Sequence, residues 1–223
     1  SRDDHAAQVP RRAREARHRA KSSERNQIAV AVNADSMSTW FTTVFGQLPN
    51  VLIDIRIEDQ DHSARLLREG AVMGAVTTER IPVPGCRVHA LGVMWYVPVA
   101  SVAFVERYLP DGFTADAVAA APSLAWNRDD ALQDQLVRTI FRKNIVRPTH
   151  YVPTAEGFGA AVREGLGWGM YPDQLVDPGL TQVIDHHLEV PLFWQCWKLD
   201  SPTVAAVTDA IKSAATGLHR RRA

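Results

Sequence analysis

Cysteine is scarce in this chain of 223 residues: Cys86 and Cys196 are the only two, and they lie far apart. That excludes the disulfide framework that staples small secreted domains. The two could pair in principle, but a pair of core thiols is the plainer reading. Long apolar runs are missing too. No stretch approaches the ~18 apolar residues of a transmembrane helix. The opening Ser-Arg-Asp-Asp-His leads into arginines without an apolar h-region, so no secretory signal is read there and a cytoplasmic location is expected. Net charge is absent as well, with 25 basic residues balancing 25 acidic ones. The balance hides an asymmetry. Residues 1–25 carry eight basic side chains against four acidic ones, and Arg220 to Arg222 add three more, so 26–219 holds seven negative charges in excess. An acidic body with basic ends is not the footprint of a nucleic-acid reader, and it suits a cationic small ligand.

Catalytic signatures are the last absence. Ser36 and Ser38 lack the Gly-x-Ser-x-Gly elbow, and neither cysteine has a local His–acid partner. His186-His187, near Asp185 and Glu189, has no third ligand at metal spacing and reads as a surface pair. Gly165-x-Gly-x-Gly follows a helical pattern instead of opening one, so the dinucleotide fingerprint fails. No catalytic residue, metal or cofactor is expected.

What is present is a 46% apolar chain able to build a real core, patterned as strands alternating with helices. Ile28 to Val32 is a short β-branched run typical of a strand buried on both faces. It passes through Asn33, Asp35 and Ser36, good N-cap types, into Met37, Trp40, Phe41, Val44, Phe45 and Leu48 at helical spacing. This predicts a helix from near Ser36 to just before Pro49. Val51 to Ile57 alternates as a second strand. Asp61 to Glu69 is a short helix stopped by Gly70, and Val72 to Thr77 is a third strand. Val88–Leu91 and Met94–Ala100 are two further strand candidates, with Pro98 where the chain leaves the sheet. A second cycle follows: strand Ser123–Trp126, helix Asp129–Phe141, strand Thr149–Val152, and helix Thr154–Glu164 capped by Thr154. A glycine-rich turn and a short strand ending at Pro172 come next. Val190–Leu199 returns as a strand, and Pro202–Leu218 closes as a helix. Residues 1–25, without an apolar stripe, are expected to be a solvated helix or a disordered tail. The alternation argues for an α/β fold built on parallel sheet. Two helix starts at strand ends, at Ser36 and Thr154, would each offer free backbone N–H groups to a carboxylate or phosphate.

At these residues the chain resembles the effector-binding part of LysR-type transcriptional regulators, closest to the LysG/ArgP subgroup that controls basic amino-acid export. The resemblance rests on Ala31-Val-Asn-Ala-Asp-Ser, Ile57-Glu-Asp with Leu67-Arg-Glu-Gly, Gly74-Ala-Val-Thr, Phe104-x-x-x-Tyr108-Leu-Pro and Gly165-Leu-Gly-Trp-Gly-Met-Tyr-Pro. It runs in order from about Arg25 to Leu218. It implies two Rossmann-like subdomains joined by two crossover segments, like a type 2 periplasmic binding protein: 26–98 with 191–219, and 99–190, with the effector between them. Carried over by position, it implies an effector site with Ser36 and Thr77 from the first subdomain, Pro98 at the crossover, and Trp126 and Thr154 from the second. Asp35, Glu58 or Asp129 would pair with a cationic group. The implied effector is lysine or arginine, and the implied assembly is a homodimer or higher oligomer. The first subdomain, with Leu66 and Leu67 on its short helix, is expected to self-associate.

Members of that family begin with a winged helix-turn-helix and a long linker helix, and residues 1–25 match neither. Specific DNA binding is therefore expected only through a domain this chain does not carry, and none is expected with a membrane. A free-standing solute-binding protein, a truncated regulator that does not bind DNA, and an enzyme whose residues assemble only in three dimensions are the competing readings.

Overall fold

A computed structural model describes residues 26–58 and 60–220; the expectation for 1–25 lies outside them. In chain order the elements are β1 (Gln27–Val32), α1 (Ala34–Ser38), a 3-10 segment (Phe41–Gln47), β2 (Leu52–Ile57), α2 (Gln60–Arg68), β3 (Gly74–Thr77) and β4 (Cys86–Ala100). Then come α3 (Val102–Tyr108), α4 (Ala115–Ala120), β5 (Ser123–Ala125), α5 (Leu132–Phe141), β6 (Thr149–Tyr151), α6 (Ala155–Arg163) and β7 (Gly169–Pro172). A second 3-10 turn (Asp173–Leu175), β8 (Thr181–Gln182), β9 (Leu188–Trp197), α7 (Pro202–Ala214) and a final 3-10 turn (Ala215–Gly217) complete the chain.

Two compact units result. The chain divides between Ala90 and Leu91, between Leu192 and Phe193 and between Ala215 and Thr216, so that Ala34–Trp40 and the described residues from Thr216 onward join the second unit. The sequence boundaries were 98 and 190. In the first unit β1 lies between β2 and β3, parallel to both, and β3 pairs antiparallel with β9. Val30, Ala31 and Val32 are fully buried, as a strand covered on both faces requires. One core cluster joins Ala31, Leu66, Leu67, Val72, Ala75 and Cys86. Leu66 and Leu67 thus face inward and are not available for self-association, because the amphipathic α2 spends its apolar face on its own sheet. α7, with Pro202 at its start and capped by Ser201, packs on the Phe41–Gln47 segment and β1. Cys86 and Cys196 are buried free thiols, and burial, reinforced by Cys196, raises the proton affinity of Cys86.

In the second unit β4 pairs antiparallel with β7 and β8, and β5 pairs parallel with β6. Val99, Leu124, Phe158, Val162, Tyr171 and Leu180 form its core. Burying side chains of this size stabilises by roughly 1.5–3 kcal/mol each. α6 starts as expected, with Thr154 Oγ1 accepting the Gly157 N–H, and Gly165 at φ 77° turns the chain out of it.

Four expectations need correction. The first helix starts at Ala34 and ends at Ser38, giving way to the 3-10 segment. Ser36 is therefore inside α1 and caps nothing. The run Met37 to Phe45 is rich in Ser, Thr and aromatics, poor helix formers. Thr39 Oγ1 donates to the Asp35 carbonyl at 2.7 Å, competing with the helical ladder. The two strand candidates after residue 86 are one 15-residue strand. Gly92, at φ 148°, carries it through a point where Leu218 and the His219 carbonyl approach too closely for a Cβ. Pro98 consequently lies inside β4, opposite Met170, and not at its exit. The Asp129 helix begins only at Leu132, because Asn127 and Asp130 fold 127–131 into side-chain-capped turns. Finally, the histidine pair is half-buried: the His187 ring stacks on Trp95 at 4.0 Å, and His219 stacks at 3.9 Å.

Candidate functional site

Within the second unit a small acidic centre forms around Asp35. α1 delivers the carboxylate, and Tyr96 of β4 donates its phenolic hydroxyl to Asp35 Oδ2 at 2.6 Å. Tyr96 is 3% exposed, and a buried Tyr hydroxyl needs such a partner. Asp35 lies deep in the protein while part of its surface remains open to water. Burial raises its carboxyl above the usual range; the Tyr96 hydrogen bond opposes that shift, and the negative charge of Asp130 adds to it. Tyr96 is held well above its ordinary range by burial first and by Asp35 second, so its hydroxyl stays a donor.

Asp130 is a neighbour of a different kind. Its Oδ2 accepts the Trp126 N–H at 2.9 Å and the Gln133 amide at 3.4 Å, and its Oδ1 accepts the Leu132 N–H at 3.1 Å. Both oxygens are occupied in building the turn that ends β5 and starts α5. Among the described residues only Oδ2 of Asp35 is occupied, and no basic side chain forms an ion pair with it. A deep carboxylate with a vacant oxygen and no counter-ion is suited to a ligand N–H of positive charge.

Next to it, Ser36 is fully buried and its hydroxyl has no hydrogen-bond partner among the described residues. Buried hydroxyls are normally satisfied, so this one is a group in want of a polar ligand atom. α1 packs against α6, the helix that Thr154 caps. The carboxyl ends of the parallel strands β5 and β6 lead to Trp126 and to Thr154, where Arg128 lies 4.8 Å over the Tyr151 ring.

The second unit therefore holds Asp35, Ser36, Trp126 and Thr154 of the expected set, with Pro98 on the same strand as Tyr96. Asp129 is exposed, and its backbone N–H donates to Asn127 Oδ1 at 2.9 Å. Thr77 belongs to the first unit, where it is buried at the end of β3 and its Oγ1 accepts the Glu79 N–H at 3.0 Å. Glu58 is also in the first unit, following β2. Sequence reasoning missed Tyr96 and Asp130. Tyr96 left one signal, a phenol within the apolar run Met94–Ala100. Asp130 left none that separates it from Asp129.

Comparison with known proteins follows the same lines. The family model described as the LysR substrate binding domain matches residues 21–216. The HTH-type transcriptional regulator LysG of Mycobacterium tuberculosis is 66% identical over 204 residues, 89% of this chain and 67% of that protein. The lysine export transcriptional regulatory protein LysG of Corynebacterium efficiens is 43% identical, over 84% of this chain and 67% of its own length. Among solved structures, ArgP from Mycobacterium tuberculosis superposes with a TM-score of 0.86 at 66% identity, covering 89% of this chain and 70% of that one. Full-length LysG from Corynebacterium glutamicum with bound effector Arg gives 0.77 at 36% identity, covering 87% and 69%. The mixed α/β architecture is that of these regulatory domains, which resemble periplasmic binding proteins.

Proposed function

The chain belongs to the LysR family through its substrate-binding domain, and from that premise we propose that it senses a basic amino acid, lysine or arginine, to control expression of an amino-acid exporter. It is an effector-binding domain of LysG/ArgP type, in a family of regulators and not of enzymes. The observation that carries the basic effector is Asp35, a deep carboxylate with one vacant oxygen and no cationic partner among the described residues. The solved LysG relative with bound arginine and the lysine-export relative support the same chemistry. The acidic body of residues 26–219 favours approach of a cation.

In this reading Asp35 receives a cationic group of the effector and Ser36 supplies a hydroxyl beside it. Tyr96 fixes the carboxylate, and Trp126 and Thr154 line the carboxyl edge of β5 and β6. Substituting Thr77 and Pro98 with Ala tests the two other positions that the family resemblance implies. Asp129 is a further candidate for the effector's cationic group, and Asp130 is a turn-building charge that tunes Asp35. The domain acts in a homodimer, and DNA is engaged through the helix-turn-helix of a full-length regulator.

A thermal-shift screen of the twenty amino acids tests this. Lysine or arginine at about 100 times its dissociation constant should stabilise the chain by about 2.7 kcal/mol. Neutral and acidic amino acids should leave the melting temperature unmoved. Selective stabilisation by an apolar or acidic amino acid, or none by the basic ones, would refute the assignment.

A further inference from the structure

We propose that Thr216–His219 is a carboxyl-terminal strap on β4, and that docking of the strap and effector binding at Asp35 favour one another. The proposal rests on the effector reading above and adds to it a regulation of the same site. After Ala215 the chain passes from the first unit to the second, and its last described residues lie along β4. Val93 and His219 exchange both backbone hydrogen bonds, at 2.9 and 3.1 Å. Leu218 is buried against Gly92, where a side chain would collide with it. The His219 ring stacks 3.9 Å from the Trp95 indole, and its Nε2 lies 2.6 Å from Asp173 Oδ2. His187 covers the other face of Trp95 at 4.0 Å, so the strap completes a stack of three rings. The pairing of β4 with β7 ends at Tyr96 and Pro172, and Asp173 comes next. The strap takes hold of β4 just past the point where β7 leaves it.

Two features make the strap a device and not only a fixed end. First, its grip is incomplete. Trp95 Nε1 and Asp173 Oδ1 are buried and have no partner among the described residues. Keeping such groups from water costs free energy that release would return, so docking is only marginally favoured. A short terminal segment held by one bridge also opens at lower cost than the sheet beneath it. Second, the strap grips the position next to Tyr96. Successive side chains of a strand point to opposite faces. Trp95 therefore turns to the strap while Tyr96 turns to Asp35, donating to its Oδ2 at 2.6 Å. With the strap docked, β4 is fixed at Val93 and Trp95 and the phenol is held on the carboxylate. With the strap released, that stretch loses its support and Tyr96 its fixed setting. An effector that needs the pre-set carboxylate binds the docked form more tightly, and by linkage it tightens the strap by the same factor.

The test reads both directions of that linkage. Amide exchange followed by NMR on the unsubstituted chain, with and without saturating arginine, should show Val93 and His219 slowed about fivefold or more. Arg142, a hydrogen-bonded amide at the end of α5, should be unchanged. Calorimetric titration of His219→Ala with arginine should show affinity weakened about fivefold. A merely structural role would lower the melting temperature of His219→Ala and leave its arginine affinity intact. That result, or strap amides slowed no more than Arg142, overturns this inference and leaves the effector reading standing. Failure of both lysine and arginine to bind the unsubstituted chain removes the effector reading and this inference with it. The exchange measurement needs no variant, so a poorly folding His219→Ala would not protect the proposal.

Discussion

Asp35, Ser36 and Thr154 allow structural duty to be told apart from the proposed ligand duty. The proton affinity of Asp35 is raised by folding, so its ionisation opposes the native state. That cost is absent below the unfolded carboxylate range, grows as pH rises toward the folded value, and is constant above it. Asp35→Asn should therefore raise the melting temperature of the ligand-free chain at neutral pH, with the gain vanishing under acidic conditions; a lower melting temperature at neutral pH would contradict the account. Ser36 caps no helix, and its buried hydroxyl has no partner among the described residues. Ser36→Ala should leave stability unchanged or slightly improved while weakening effector binding by about 0.5–1.5 kcal/mol. Thr154→Ala removes a true N-cap and should cost about 0.5–2 kcal/mol in denaturant unfolding. If Ser36→Ala destabilises as much as Thr154→Ala and binds the effector normally, the ligand role of Ser36 is wrong.

Among the elements, those with a local signal were legible before the structure. Val30 to Val32 marks β1 by apolar continuity, Thr154 marks α6 by its cap, and Gly165 marks its end. Where two local signals conflict, the pattern misleads. The apolar spacing from Met37 to Leu48 is helical, yet the intervening Ser and Thr side chains and the aromatics break it after Ser38. Gly92 is a typical breaker, yet here it keeps β4 continuous by admitting Leu218 and His219 alongside. The Tyr96–Asp35 bond spans 61 positions, and no periodicity announces a contact at that separation. The segment after β3 is another case. Gln195 on β9 is fully buried, donates to the carbonyls of Glu79 and Ile81, and accepts the Val83 N–H at 2.9 Å. It takes the place of a strand partner for a proline-containing loop that has none of its own. Gln195→Leu should cost about 1–3 kcal/mol through the stranded backbone groups and accelerate amide exchange at Val83; unchanged exchange there would dismiss the staple.

For the whole chain, composition set the class and the structure supplied the partners. The acidic body pointed to a cationic ligand, and burial and the occupancy of its oxygens single out Asp35 as the proposed receiving carboxylate. The self-association expected through Leu66 and Leu67 is not open to those two residues, since both are buried. The edge strand β2 exposes Leu52 and Ile57, at 54% and 51%. An exposed apolar edge is a natural pairing surface. Light scattering at high micromolar concentration should show a dimer that Leu52→Lys with Ile57→Lys dissociates; a dimer indifferent to both changes would place the interface elsewhere. Among the described residues no helix is long and apolar enough to cross a membrane. The central claim is that Asp35 receives the cation of a basic amino acid, and the most direct measurement is the dissociation constant of arginine for the chain and for Asp35→Asn at neutral pH. The account predicts measurable binding to the unsubstituted chain and a loss of about 2 kcal/mol or more, roughly thirtyfold, in the variant. Equal affinity in a variant that melts cooperatively would contradict it.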